Sequence, residues 1–576
     1  MNHRTSDAVI GIHVASHDSA ACLIRDGMII AAEEERFSRQ KHHSGFPHAA
    51  LEYCLNRAGV ELRQVDSILI TYSPTRLIGT AVRHTLSWNS DLSPTNRIRY
   101  IGDELKILSQ NLGAWLNCVR ISPSTLKGIN FCEHHIAHAA GAFLQSEFSQ
   151  AAVLSVDGYG DSDSATISLA DEFRIRILAR VRFPASLGLL YNATTAYLGF
   201  RPDCDEGKIM ALSAYGQPRF ADFFSQIVRE DSPMFDSESN YFDFSAQRFS
   251  GRVRPLIGGP RKFGEPISDR HIDIAASVQR VTERLMLRLA KSARELTGAS
   301  HLCLTGGVAQ NVLANGMIAQ SSGFDKIFVH PASCDSGTAM GAASYQSYYV
   351  RGRPRPTLKS PFIGPDFDEG KIVQALRDTT VSYTRPVALA SEVAGLLQDG
   401  HVVGWFQGGL EFGPRALGGR NILASPRSPD MRDFLNSTIK KRDSFRPYGV
   451  AVLHEFGEEV FDDYTWYPYM NVALRVRDEW RPRIPSAVHV DGTCRVQSVR
   501  QDDHAHPLSQ LLTEFGRRSG FPILLSTSFN GPGEPIVCTP ADALASFEHS
   551  GLRFLAIGPF LVERGDERSS PTDLKD

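Results

Sequence analysis

Hydrophobic and polar positions near the start of the chain come in blocks. "AVIGIHVA" is an apolar, β-rich run, "SHDS" is a polar turn, "AACLIRDG" returns, and "MIIAAEEE" follows the Asp26-Gly27 turn signal. The pattern predicts a meander of strands with a polar loop after the first. The outline recurs further along as "AAVLSVDG", the turn "YGDSDS", "ATISLADE" and "FRIRILAR". Two copies of one pattern predict a duplicated α/β fold. Helical stretches lie between and after them. The clearest is "DIAASVQRVTERLMLRLAKSARELTG", with Ile274, Val278, Val281, Leu285 and Leu289 on one face and Gly298 as a stop.

Next, "HLCLTGGVAQNVLANGMIAQ" runs from a short apolar strand through Gly306-Gly307 into a new helix. Backbone amides at such a start suit phosphate, although a plain strand-to-helix turn gives the same pattern. An alanine-rich helix around "GTAMGAASYQSYYV" precedes "RGRPRPTLKSPFIGP", which lacks periodicity and reads as a linker. We therefore expect a first domain over 1–355 and a second over 356–576. In the second, "VALASEVAGLLQDG" reads as helix and "HVVGWFQG" as strand, and alternation continues through "GFPILLSTSF" and "PADALASFEHSG" to a polar tail.

At 576 residues the chain exceeds what one core usually supports. Lys+Arg 61 against Asp+Glu 64 leaves a formal charge of -3, which argues against bulk nucleic-acid binding or a membrane-surface role. The start, "MNHRTSDAVIGIHVAS", lacks the apolar segment of a signal peptide, and no run of about 18 apolar residues occurs. Nine dispersed cysteines without C-x-x-C spacing read as reduced thiols, so a cytoplasmic protein is expected.

The candidate chemistry lies in loops and helix starts. In "CEHHIAHAAGAF", His134 and His138 share a helix face and can offer two nitrogens to one ion, while His135 points elsewhere. Asp157 of "SVDGYGD" and Asp335 of "PASCDSGTAMGAA" would complete a mixed N/O site for Fe(II), Mn(II) or Zn(II). A turn aspartate and a helix N-cap are the alternatives for these two. "SHDS" adds His17 and Asp18. The second region is rich in anion-binding chemistry. It carries Arg415 and Arg420 among glycines, Lys440, Lys441, Arg442 and Arg446, then Arg495, and Ser526, Thr527, Ser528 and Asn530 on a strand exit. Singly, such cations are usually solvated surface charges; together they suggest an anion site.

At these residues the chain resembles the NodU/CmcH family of O-carbamoyltransferases. The stretches carrying the resemblance are "HDSAA", "AAEEERFSRQKH", "HHIAHAAGAF", "SVDGYGD", "SLGLLYNATTAYLGF", "DEGKIMALSAYG", "LTGGVAQNVLANG", "FGPRALGGRNIL", "RDSFRPYGVAV" and "STSFNGPGEPIV", in family order. The resemblance implies a duplicated actin-like (Kae1-like, ASKHA) domain followed by an α/β YrdC-like domain. It implies that ATP and carbamoyl phosphate, with Mg, give carbamoyl adenylate in the second domain. In the first, a hydroxyl of a small-molecule natural product, such as an antibiotic, takes the carbamoyl group. His134, His138, Asp157 and Asp335 match the metal ligands, with iron as the family's ion, and His17 matches the base on the acceptor hydroxyl. Lys41, Lys208, Gly306, Gly307 and Asn311 match stretches facing the adenylate. Arg415, Lys440, Arg446, Arg495, Ser528 and Asn530 match motifs holding carbamoyl phosphate and ATP. Ser526 stands where the family has asparagine, and Pro532 where arginine is common. The segments 73–106 and 225–256 are expected to shape the acceptor pocket. A tRNA-modifying user of carbamoyl adenylate and a non-catalytic nucleotide-binding module are the competing readings. Near-neutral charge and the fused domains oppose the first, and the retained His17 and cationic set oppose the second.

Overall fold

The apolar blocks fold as strands because each is long enough to cross a sheet and ends in residues that turn. The computed structural model describes residues 7–14, 17–73, 75–76, 109, 113, 116, 129–229, 233–238, 241–243 and 248–564. By contact they divide into Met1–Ser38 with His42–Lys359, and Arg39–Lys41 with Ser360–Asp576. Most of the expected acceptor segment 73–106 and the polar tail lie outside the described residues.

In the first unit, Ala8–His13, Ala20–Arg25 and Met28–Glu33 form an antiparallel meander. Ser67–Thr71 and Ile129–Cys132 extend it in parallel on the other side of Ala8–His13. The second sheet repeats this. Gln150–Gly160, Asp163–Asp171 and Ile175–Arg182 are the meander, and His301–Thr305 and Lys326–Val329 the parallel extension. Counted in chain order within each sheet, both run 3-2-1-4-5 with the same parallel and antiparallel pairings. The unit is therefore a duplicated actin-like α/β fold.

In each half the last strand leads to a helix, His134–Gln145 in the first and Ser336–Tyr345 in the second. These equivalent helices cross in backbone contact. A Cβ on Gly341 would sit 1.8 Å from the carbonyl oxygen of Ala137, so only glycine permits the approach. The long helix Asp269–Thr297 ends at Gly298 and buries Ile274, Val278, Val281, Leu285 and Leu289. The first part of the expected linker is pinned to the first unit. Arg351 faces Asp66, Arg353 pairs with Asp7, and Arg355 donates to carbonyls of Phe143, Leu144, Ser146 and Phe148 at the end of helix His134–Gln145.

The second unit is built on a nine-stranded mixed sheet. Its order is Ser382–Thr384, Phe560–Glu563, Phe554–Ile557, Val403–Phe406, Arg420–Ala424, Ile523–Ser528, Gly449–Leu453, Thr493–Val499 and Val472–Arg475. Helices Leu389–Gln398, Ser509–Ser519 and Pro540–Ser550 accompany it. No described helix is long and apolar enough to cross a membrane.

Candidate metal centre and anion site

Four side chains of the first unit meet at one point. His134 opens its helix and His138 follows one turn later. Asp157 comes from strand Gln150–Gly160, and Asp335 stands at the start of Ser336–Tyr345. All four are buried, and one donor atom from each lies within 4.8 Å of the others. The two histidine Nε2 atoms are 3.0 Å apart, and each is 3.2 Å from Asp157 Oδ2. Asp335 Oδ1 lies 3.6 Å from His134 Nε2 and 3.5 Å from His138 Nε2. Asp335 makes no side-chain capping bond, so the helix-cap alternative does not account for its carboxylate.

Neighbouring bonds aim these groups. Asp157 Oδ1 accepts from the amides of Gly158 at 2.8 Å and Gly307 at 3.1 Å, leaving Oδ2 for the histidines. Thr305 Oγ1 carries one proton and donates it to the Ser333 carbonyl at 3.4 Å, so it offers His138 Nδ1, at 3.2 Å, a lone pair. A neutral His138 then bears its proton on Nδ1 and points the Nε2 lone pair at the cluster. Lone pairs and carboxylate oxygens converging in a buried space call for a cation, and two imidazoles with two carboxylates fit a divalent metal ion. In the absence of metal, burial opposes charge on His138, but Asp157 and Asp335 outweigh it and raise its pKa to about 9. Burial likewise opposes ionisation of Asp157, yet His134 and His138 hold it well below the carboxylate range. Room for the His134 ring depends on Gly160, where a Cβ would lie 2.0 Å from His134 Cδ2.

His135, on the same helix, turns away and bonds to the Asp163 carbonyl at 3.0 Å. Two further residues border the cluster. Tyr72, held at φ 133°, lays its ring 4.7 Å from that of His134. His13 is wholly buried, with Nδ1 at 2.8 Å from Thr71 Oγ1 and 3.0 Å from Thr338 Oγ1. Sequence reasoning passed over His13 because it ends an otherwise apolar strand; a histidine closing such a run was the available signal.

His17 stands in a separate polar group, its Nδ1 3.4 Å from Asp18 Oδ2, while Asp18 Oδ1 is 2.7 Å from His42 Nδ1. Burial works against charge on His17, but the hydrogen bond and charge of Asp18 prevail and raise its pKa well above 6.5. His42 is raised to about 10, with Asp18 again outweighing burial.

The residues expected to face the adenylate take varied places. The Gly307 amide is committed to Asp157 and is not a free phosphate donor. Gly306 forms the turn before it. Asn311 caps helix Val312–Ser321 and exchanges amide hydrogen bonds with Gln279. Lys208 lies 3.5 Å from Asp205 and over the Phe200 ring. Lys41 groups by contact with the second unit. The reason is its neighbour Arg39, which donates to the carbonyls of Pro535 and Ile536 at 2.9 and 2.7 Å.

In the second unit cations gather. Lys440 is buried, and its Nζ donates to three neutral oxygens, the Ser528 and Asn530 carbonyls and Asn530 Oδ1, at 2.9, 2.8 and 2.7 Å. Burial, then Arg442, Arg446 and Lys41, push its pKa well below 10.5. Arg495 is half-buried with its Nε unpartnered. Burial and the like charges of Arg415, Arg442 and Arg446 push its pKa down. Cations crowded against one another are relieved by an anion. Ser528 Oγ donates to Asn530 Oδ1 at 2.6 Å, ordering the loop beside them. Arg420, by contrast, is entirely buried, bonded to the carbonyls of Gln407, Gly408 and Gly419 and stacked on Phe406, a structural role. Ser526 faces the sheet interior and accepts from Asn421 Nδ2 at 2.7 Å, and Pro532 is exposed.

Comparison with known proteins gives these two centres a context. The family model "Carbamoyltransferase N-terminus" matches residues 8–344, and "Carbamoyltransferase C-terminus" matches 394–564. Nodulation protein NolNO of Sinorhizobium fredii is 36% identical over 97% of this chain and 80% of its own. Nodulation protein U of the same organism is 34% identical over 91% and 94%. An uncharacterised protein of Synechocystis is 36% identical over 98% of both. Full-length HypF, in its phosphate- and nucleotide-bound form, aligns at 12% identity and a TM-score of 0.32 over 60% of this chain and 56% of its own. With both family models matched in order across most of its length, the chain belongs to the carbamoyltransferase family and is a carbamoyltransferase.

Proposed function

We propose that the protein is an ATP-dependent O-carbamoyltransferase whose two units divide the reaction. In the YrdC-like second unit, Arg415, Lys440, Arg446, Arg495, Ser528 and Asn530 hold carbamoyl phosphate and ATP, the latter with Mg. Water releases phosphate from carbamoyl phosphate. An oxygen of the resulting carbamate attacks the α-phosphorus of ATP and displaces pyrophosphate, giving carbamoyl adenylate. In the Kae1-like first unit, a hydroxyl of a small-molecule acceptor attacks the carbamoyl carbon, and AMP leaves. Nitrogen donation makes a carbamoyl carbonyl a poor electrophile, so the adenylate leaving group is what makes transfer feasible.

His134, His138, Asp157 and Asp335 would hold a divalent ion, Fe(II) by the family resemblance. When bound it supplies positive charge against the departing phosphate. His17 accepts the hydroxyl proton, with Asp18 on Nδ1 leaving Nε2 as the working nitrogen. A raised His17 pKa makes it a stronger base that is neutral only at higher pH. Because all eight described cysteines are free thiols, a reducing, cytoplasmic setting is the natural one.

The crowding of Lys440, Arg446 and Arg495 carries this reading, because a polyanionic ligand relieves the repulsion among such cations. Purified protein given ATP, carbamoyl phosphate and a panel of hydroxylated natural products should yield a carbamate ester, AMP and pyrophosphate. ADP in place of AMP would refute the adenylate route.

A further inference from the structure

The duplicated fold places one device twice. Ser67–Thr71 and His301–Thr305 are the fourth strands of their sheets, each parallel to the first strand of its own sheet. Both end in threonine, and each threonine hydroxyl meets a histidine Nδ1. Thr305 holds His138 at 3.2 Å, and Thr71 holds His13 at 2.8 Å. His138 thereby presents Nε2 to the four-residue cluster. By the same construction His13 presents its Nε2, which has no hydrogen-bond partner in the described structure and faces Asp335 Oδ2 at 3.6 Å.

Proton placement on His13 follows from its neighbours. Thr338 Oγ1 donates its proton to the Asp335 carbonyl at 2.6 Å, so it offers His13 Nδ1 only a lone pair. Thr71 Oγ1 can donate to Nδ1, so the two hydroxyls permit either tautomer, and the Asp335 carboxylate beside Nε2 decides between them in favour of a proton on Nε2. The opposite tautomer would set a bare nitrogen lone pair against a carboxylate oxygen in a buried space, which Coulomb repulsion disfavours. Thr338 thus ties His13 and the Asp335 backbone together, from within the helix that Asp335 begins.

We infer that His13 is a positioning residue for the metal centre: its Nε2–H, 3.6 Å from Asp335 Oδ2, attracts that oxygen electrostatically and so favours the turn of Asp335 Oδ1 toward His134 and His138. The inference rests on the metal-centre reading above and adds a residue that does not touch the ion. Partners of ligating carboxylates fix ligand orientation and so set affinity for the ion.

The test uses chelator-stripped full-length protein titrated with Mn2+ and followed by electron paramagnetic resonance. Glutamine places its amide nitrogen near the position of histidine Nε2, and asparagine near that of Nδ1. His13→Asn should weaken Mn2+ binding roughly 10- to 100-fold, while His13→Gln should stay within about 3-fold of the parent. Both should melt close to the parent temperature. Equal affinity in parent and His13→Asn would overturn the inference. So would equal losses in both variants, which would mark His13 as a packing residue. A parent chain that takes up no Mn2+ would overturn the metal-centre reading itself, and this inference with it; that result is distinct from a loss confined to the variants.

Discussion

Gly160→Ala tests the metal centre through sterics alone, without removing any donor. The added Cβ would sit 2.0 Å from His134 Cδ2, where ordinary carbon contact is about 3.5 Å. Roughly 1.5 Å must therefore be relieved, and metal–ligand distances tolerate only about 0.2 Å. Strand Gln150–Gly160 is held by Asp163–Asp171 beside it, with Gly160 opposite Asp163, so the imidazole gives way before the backbone does. Movement of the ring by even half that distance takes Nε2 out of register with His138 and Asp157. We expect Mn2+ affinity to fall about 100-fold or more, equivalent to roughly 2.7 kcal/mol. Overpacking should cost the fold about 1–3 kcal/mol. Gly395→Ala is the matched control, since nothing lies within 4 Å of its added Cβ and its helix belongs to the second unit. Calorimetric titration of stripped protein with Mn2+ reads the affinity, and AMP release without acceptor reads the adenylation half-reaction. Gly160→Ala should lose metal and carbamoyl transfer while keeping adenylation. A Gly160→Ala protein that binds Mn2+ like the parent would refute the reasoning, because the ring could not then be where a ligand must be.

Further expectations follow from the other groups. His17→Ala should preserve adenylate formation while transfer falls sharply; equal loss of both half-reactions would contradict its role as base. Since Asp18 raises the His17 pKa above 6.5, the acid limb of the transfer rate lies above that pH, and Asp18→Asn should move it to lower pH. A pH–rate profile with an unmoved limb would exclude His17 as the titrating base. Arg495→Met removes a cation surrounded by other cations, so KM for carbamoyl phosphate or ATP should rise about 10- to 100-fold with no loss of melting temperature. A drop in stability with unchanged KM would make Arg495 structural. Ser526→Ala leaves the buried amide of Asn421 without its acceptor and should destabilise the second unit by about 1–3 kcal/mol in chemical denaturation. Unchanged stability would mean the amide finds another partner.

What could be read from the chain was local. The meander strands showed because apolar blocks bounded by polar turns fold where they stand, and the second block pattern announced the duplication that the two 3-2-1-4-5 sheets display. The helix pairing of His134 with His138 is equally local. Their meeting with Asp157 and Asp335 is not, because it depends on two equivalent helices crossing at Gly341 and on the Gly307 amide turning the Asp157 carboxylate. Their loops already offered those aspartates as candidates, with a turn aspartate and a helix cap as the alternatives, and the resemblance to a known family favoured the ligand reading. Lys41 was expected in a stretch of the first domain that faces the adenylate; it groups by contact with the second unit, where Arg39 bonds to carbonyls nearly five hundred positions away, and no local pattern reports such a contact. The proline-rich segment reads on composition as a linker or interdomain loop, and the division between the two units falls within it; composition does not report that its arginines bond to the first unit.

His13 marks the deeper limit. In "AVIGIH" it reads as the end of a buried strand, and burial is indeed total. Its chemistry emerges only when the halves are compared, because Thr71 and Thr305 end equivalent strands and grip a histidine by the same nitrogen. Duplication of a fold copies backbone positions before it copies side chains. One copy of the device therefore carries a donor of the cluster, while the other carries a residue that steadies a donor. The site is asymmetric in ligands but nearly symmetric in the strand ends that hold them. That symmetry explains how Thr71 and Thr305, one from each half of the unit, hold a strand histidine and a helix histidine that both belong to the first half.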